Sequence, residues 1–360
     1  MNCRWDRTAV TCFRASSDAM SEIPNKQVIL AAQPQGIPQA EHFKIVESPA
    51  PTPGENETLV RNIYLSVDPA QRGWTNAVPN YSEPVGVGEV MRGFAVGVVI
   101  ASNRSDYAPG AFVTGLLGWQ EYAVTDGSGR RQVDRGLAPI STSVGILGLN
   151  GVTAYVGLLD IGQPKKGETV VVSTAAGAVG SAVGQIANIH GCRAVGITGT
   201  DEKVALCTDE FGFETALNYK TKNLQGRLAD ACPNGVDIYF DNTGGEISDA
   251  VLGLLNLHAR IVLCGTAATA SWDPPPQGPR IERTLLVSRA RMEGFVILDH
   301  IDRYDDAANH LATWIRDGRL TYREEILDGI DHAPDAIAGL YRGENIGKRI
   351  IQVAPDPTRH

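Results

Sequence analysis

Short apolar runs separated by turn residues fill the chain from residue 26 to about residue 124. The runs at 27–31, 58–65, 95–101 and 111–115 stand between Pro and Gly positions. That spacing predicts an all-β unit closing into a small, partly open barrel, with 121–124 as a further strand. The period changes at Ser143. Residues 144–150 and 153–159 are apolar and punctuated by glycine, and they predict two buried helices leading into a strand at Thr169. Strand and helix then alternate: strands at 194–198, 236–241 and 260–264, helices at 203–211 and 247–255. Such alternation is the signature of a doubly wound parallel sheet. Farther on, Ala307, Ala308, Leu311, Trp314 and Ile315 recur at helical spacing, with Gly318 placed to end the helix. On that stripe Trp314 reads as core. A helix around 334–341 and a strand at 348–353 close the pattern, and the polar last residues are expected to fray.

The stretch from Glu168 to Gly184, ETVVVSTAAGAVGSAVG, carries the first chemical signal. Val170, Val171 and Val172 suit a strand buried on both faces. Ala175, Gly177 and Gly180 then occupy the three small-residue positions of a dinucleotide-binding turn, with alanine in place of the first glycine. Gly177 would let the backbone approach a pyrophosphate, and Gly180 would let the helix lie close to the strand; the helix N-terminus would face the phosphates. A small-residue helix that merely packs tightly on a sheet is the alternative. The next strand ends in Thr198, Gly199 and Thr200, with Lys203 one helical turn on. A ribose 2′-hydroxyl is held by a carboxylate at that point, a 2′-phosphate by positive charge. NADPH is therefore expected, although Asp201 and Glu202 count against it and Lys203 would also suit plain solvent exposure.

Length and composition add limits. At 360 residues the chain is too long for one ordinary core and implies two domains. A net charge of -9 with no basic block argues against a nucleic-acid surface. No apolar run has spanning length. The six cysteines, at 3, 12, 192, 207, 232 and 264, form no CxxC pair and suit free thiols in a reducing compartment. The first nineteen residues have no apolar signal core and read as a disordered extension, with Met20 as the natural beginning. For zinc, no cysteine occurs between Cys12 and Cys192, and the histidines share no ligand spacing with acidic or thiol partners. No metal is expected.

Nine segments together resemble the zinc-independent medium-chain dehydrogenase/reductases, in the branch of the prostaglandin, alkenal and curcumin reductases. They are LSVDPAQRG (65–73), VGEVMRG (87–93), LNGVTAYVGLL (149–159), AAGAVGSAVGQIA (175–187), GTDEK (199–203), LNYK (217–220), DIYFDNTGGEISD (237–249), RMEGFVI (291–297) and GENIGK (343–348). The resemblance implies an α/β protein with a GroES-like β-barrel catalytic domain (25–147, with 323–355 returning to it) and a Rossmann doubly wound parallel-sheet domain (148–322), preceded by a disordered extension (1–24). It implies a cleft between the domains for nicotinamide and substrate. It also implies cofactor contacts from Gly177, Ala178, Val179 and Gly180 to the pyrophosphate, and from Lys203 and Tyr219 to the adenosine phosphate. Asn242, Cys264, Gly265 and Thr266 would stand at strand ends, Phe295, Val296 and Ile297 beside the nicotinamide, and Asn345 at a C-terminal contact. Asn242 would equally suit a turn, and Tyr219 a packing role.

The implied reaction is metal-free hydride transfer from NADPH to the β-carbon of an enone or enal, the charge moving to the carbonyl oxygen as an enolate that a hydrogen-bond donor stabilises. Two tyrosines common in the branch are absent, at Ala70 and in the loop that here reads Ala270, Ser271, Trp272. Tyr81 is the replacement candidate for the donor; packing on Pro84 is its other reading, and the cofactor's ribose hydroxyl its rival. Trp74, Trp119 and Trp272 would line an apolar pocket or pack as core, and Pro274, Pro275 and Pro276 would stiffen the loop after Trp272. A quinone reductase, a non-catalytic NADPH sensor and an enoyl thioester reductase remain as other readings. A cytoplasmic homodimer is implied by resemblance.

Overall fold

The computed structural model describes residues 2–6, 9–13, 23–78, 80–268 and 277–359. They form two compact units, one of Met1–Val144, Glu325–Glu344 and Arg349–His360, the other of Gly145–Glu324 and Asn345–Lys348. No helix among the described residues is long and apolar enough to cross a membrane.

The first unit is built on strands. β1 (Asn2–Asp6) and β2 (Ala9–Phe13) pair antiparallel, as do β3 (Pro24–Leu30) and β4 (Phe43–Pro49). β5 (Thr58–Ser66) pairs antiparallel with β6 (Phe94–Ser102), and β6 with β7 (Phe112–Leu116); β8 (Tyr122–Thr125) adds to β5 and β9 (Arg131–Gln132) to β7. The returning strands Glu324–Asp328 and Lys348–Gln352 complete this seven-stranded sheet. β5 is buried almost throughout because it feeds two cores: Val60 and Leu65 join one, Leu59, Ile63 and Tyr64 the other. Register shifts at Leu59/Val60 and Asn62/Tyr64 bend it between them. Trp74 and Trp119 are both core residues here. The short helix α1 (Ala70–Trp74) follows β5 directly.

Within the stretch read as a disordered extension, Asn2–Asp6 and Ala9–Phe13 form the β1–β2 pair. One expectation is corrected in this unit. The tail read as frayed is anchored: Asp356 is buried and accepts from the Tyr64 hydroxyl (3.0 Å) and the Thr358 amide (2.8 Å). A polar residue ends buried there because its hydrogen bonds are met.

The second unit is a six-stranded parallel sheet. Its strands are β10 (Thr169–Ser173), β11 (Arg193–Thr198), β12 (Thr215–Asn218), β13 (Val236–Asp241), β14 (Leu255–Leu263) and β15 (Arg291–Gly294), in the spatial order β12-β11-β10-β13-β14-β15. The order reverses between β10 and β13, and such a switch point opens a crevice at the carboxyl ends of those two strands. Val170 and Val172 face one core and Val171 the other, the two-residue period of a strand covered on both sides. Between residues 140 and 162 the two expected helices are redistributed: a 3-10 turn at Ile140–Val144, then α2 (Leu149–Val156), which widens into π turns over Gly157–Gly162. Extended Gly148 (φ -103, ψ -162) is what separates them. Trp314 packs in the larger core, on the helix Tyr304–Arg316.

Candidate functional site

The strand-to-helix turn after β10 is tight for a steric reason. Thr174 holds φ 52, rare for a β-branched residue, and the chain then enters α3 (Ala178–Ile189) through Gly177. A Cβ on Gly180 would lie 2.2 Å from the Thr174 carbonyl oxygen, so only glycine lets the helix start this close to the strand. At Gly177 the same test gives 3.1 Å, a close but lesser contact. Gly177 donates to Thr174 O (2.9 Å) and accepts from Ser181 N–H (3.0 Å), which closes the first turn. No side chain caps α3. The amides of Ala178, Val179 and Gly180 have no acceptor within the helix and sit at its positive dipole end, a cradle suited to an anion such as a pyrophosphate.

The end of β11 lies beside this turn. Helix α4 (Asp201–Asp209) begins there, capped by Thr200, whose hydroxyl accepts from Lys203 N–H (3.2 Å). The carboxylate of Asp201, the feature that counted against a 2′-phosphate, accepts from the Asn218 side-chain amide at 2.8 Å. Asn218 ends β12, and Tyr219 follows it with its ring over Gly199, where a Cβ would stand 3.2 Å from the ring edge. Lys220 reaches the same place: its ammonium is 5.9 Å from the Tyr219 ring centre and its Cε 3.7 Å from the Gly199 Cβ position. The sequence reading missed Lys220, although it is next in sequence to Tyr219. Lys220 thus stands at the strand end, and Lys203 follows in the first turn of α4 together with Asp201 and Glu202.

At the switch point the organiser is another residue that the sequence reading passed over. Asp241, 2% exposed, ends β13. Its carboxylate accepts from the Tyr239 hydroxyl (3.0 Å), the amides of Thr243 and Gly244 (both 2.9 Å) and the Ser248 hydroxyl (2.5 Å). Burial, then the neighbouring Asp241 charge, pushes the Tyr239 hydroxyl well above its ordinary pKa, so it stays a donor. The Asp241 carbonyl takes the amides of Cys264 (2.8 Å) and Gly265 (3.1 Å). Asn242 donates through its backbone to Ser173 Oγ and through its side chain to Ser173 O, both at 2.8 Å. Its side-chain nitrogen thus fixes the junction of β10 and β13, and its side-chain oxygen is left for other partners. Burial, then Asp241, pushes the Cys264 thiol up to about 12, so it is no nucleophile near neutral pH.

Two remaining segments behave differently. The ring of Phe295 lies by Gly157, where a Cβ would stand 2.7 Å from its Cζ, and Phe295 and Ile297 pack against the larger core. Asn345 comes to the α3 turn by tertiary contact alone: Gly347 bridges to Gly177 and donates to Ala176 O (3.1 Å), while Asn345 donates to Gly347 O (2.9 Å). The sequence positions Gly177–Gly180, Lys203, Tyr219, Asn242, Cys264–Thr266 and Asn345 therefore lie along the carboxyl edge of one sheet. Tyr81 belongs to the first unit, on the loop after α1, and is 53% exposed. Ala270, Ser271, Trp272 and Pro274–Pro276 lie outside the described residues. Among the described residues no group of three or more His, Cys, Asp or Glu could hold a metal ion.

Comparison with known proteins places this geometry. Residues 26–133 match the family model described as the N-terminal domain of oxidoreductase, and 178–313 the one described as zinc-binding dehydrogenase. The YfmJ protein of Bacillus subtilis is 47% identical over 92% of this chain and 98% of its own. The NADPH-dependent curcumin reductase of Escherichia coli is 43% identical over 92% and 98%. The crystal structure of CurA from Vibrio vulnificus in complex with NADPH superposes with a TM-score of 0.88 at 42% identity, over 92% of this chain and 99% of that one. With the cradle, the strand order and similarity along nearly its whole length, the chain belongs to the medium-chain dehydrogenase/reductases, in the branch of the curcumin, alkenal and prostaglandin reductases.

Proposed function

We propose that this chain reduces the C=C bond of α,β-unsaturated ketones or aldehydes at the expense of NADPH. The observation that carries the reading is the uncapped, glycine-entered N-terminus of α3 at the switch point, with Lys203 and Lys220 at the neighbouring strand end. The names of the relatives direct it to conjugated carbonyls. Amides of Ala178, Val179 and Gly180 would hold the pyrophosphate. Lys203, Tyr219 and Lys220 would take the 2′-phosphate, and Asn242, residues 264–266, residues 295–297 and Asn345 would line the rest of the cofactor's path. Bound NADPH supplies the hydride for the β-carbon. The Tyr81 hydroxyl would donate to the carbonyl oxygen, where negative charge develops, and stabilisation of that kind raises the rate because it strengthens in the transition state. A reducing cytoplasm is supported by Cys192, Cys207, Cys232 and Cys264, which are free. A homodimer is supported by the sheet edge at β15, flanked by exposed Leu286 and Val287.

NADPH oxidation followed by absorbance, with a panel of enones, enals and quinones and with or without a chelator, tests the reading. Enone turnover untouched by chelator is the expected result. Turnover of quinones alone would reassign the substrate class, and NADPH binding without turnover would leave a sensor in place of an enzyme.

A further inference from the structure

Tyr81 is 53% exposed, and the residues on both sides of it are held. The side-chain oxygen of Asn80 accepts from the Ser82 amide (2.9 Å). One guanidinium nitrogen of Arg92, Nη1, donates to Ser82 Oγ (2.6 Å) and to the Glu83 carbonyl (2.8 Å). The same guanidinium lies over the Trp74 ring, 5.6 Å from its centre, and Trp74 is 4% exposed. Beyond Glu83, the Trp74 carbonyl takes the Val85 amide (2.7 Å). Arg92 is itself fixed from behind, its carbonyl accepting from Gln71 Nε2 (3.0 Å), and Gln71 is on α1 with Trp74. A planar, permanently charged group thus joins a buried ring to two successive loop residues, a combination a lysine would reproduce only in part.

We propose that Arg92 is a positioning residue for the reduction: clamped on Trp74, it holds Ser82 and Glu83 and so sets the place of the Tyr81 hydroxyl. The proposal rests on the reading of Tyr81 as the donor to the substrate carbonyl. Loss of the clamp leaves the cofactor contacts of the second unit intact and frees a loop whose hydroxyl must be correctly placed, so kcat falls while the KM for NADPH stays. Misplacement of a reacting group by about 1 Å costs on the order of a hundredfold in rate.

The test is steady-state kinetics on the full chain with NADPH and a small enone, for wild type, Tyr81→Phe, Arg92→Ala, Arg92→Lys and the double variant Tyr81→Phe/Arg92→Ala, each checked by thermal melt. The expected result is a loss of about a hundredfold in kcat for Tyr81→Phe, about tenfold for Arg92→Ala, an intermediate value for Arg92→Lys, and a double variant no slower than Tyr81→Phe. Losses that multiply in the double variant, or an Arg92→Ala enzyme with full kcat beside an impaired Tyr81→Phe, overturn the clamp and leave the tyrosine standing. Full kcat in Tyr81→Phe overturns the reading of the tyrosine, and the clamp falls with it. Where Arg92→Ala does not fold, Ser82→Ala removes one of the same bonds and the same coupling to Tyr81→Phe decides.

Discussion

Gly177 and Gly180 stand three positions apart at the same turn but answer to different constraints. Gly180 has backbone where a Cβ would go, 2.2 Å away, and backbone cannot swing aside. Gly180→Ala is expected to cost about 2 kcal/mol of stability, in the range of overpacked cores, and chemical denaturation measures it. At Gly177 the contact is 3.1 Å and φ is -85, which any residue adopts. Gly177→Ala should therefore fold with nearly wild-type stability and instead weaken NADPH binding about tenfold, as read by fluorescence titration. Lys220 gives a second expectation. Lys220 stands beside Tyr219 over Gly199 at the strand end, so Lys220→Ala should raise the KM for NADPH several-fold and leave that for NADH unchanged.

The strand-turn-helix unit needs support at its other end, and an ion pair supplies it. Arg260 on β14 donates to both oxygens of Glu168, just before β10, at 2.9 and 2.6 Å, and also to the carbonyls of Gly162 and Gln163 at 2.8 Å each. Burial alone would raise the Glu168 pKa; the Arg260 hydrogen bonds and the Lys165 amide outweigh it and hold the carboxyl below its usual value. A depressed carboxylate contributes stability that is present above its unfolded pKa and is lost as pH falls through the folded value. Glu168→Gln should cost about 2 kcal/mol at pH 7, and that difference from wild type should shrink on acidification below about pH 4.5, the ordinary glutamate value. Urea melts at pH 7 and pH 4 read both effects.

Among the described residues β15 ends the six-stranded sheet of this 38.5 kDa chain, with Leu286 76% and Val287 60% exposed on the adjoining helix. Edge backbone and exposed apolar side chains are both relieved by pairing with a second copy. Sedimentation equilibrium is expected to give twice the chain mass, and Leu286→Glu to give the monomer by placing a charge in the contact. A monomeric wild type would refute the homodimer.

Much of this protein was legible one residue after another. The valine run at 170–172, the small residues at 175, 177 and 180 and the alternation of strand and helix depend on periodicity and local sterics, which neighbours in sequence express directly. For the same reason the strand-turn-helix at α3 could be placed without coordinates, whereas the helices between 144 and 159, apolar throughout, could not be delimited by periodicity. Tertiary structure decided the rest. It turned Asp201 toward Asn218, brought Asn345 to the α3 turn through Gly347, set Lys220 beside Tyr219 over Gly199, and gave Asp241 its buried donors. Asp201–Asn218 and Gly347–Gly177 join positions far apart in sequence, while the Tyr219–Lys220 and Asp241 contacts depend on how the chain bends at a strand end, so hydrophobic periodicity records none of them. Sequence alone determined most of the strands and helices of the second unit and the strand-turn-helix at which a dinucleotide is expected; which polar groups surround it depended on hydrogen bonds that only the folded chain makes.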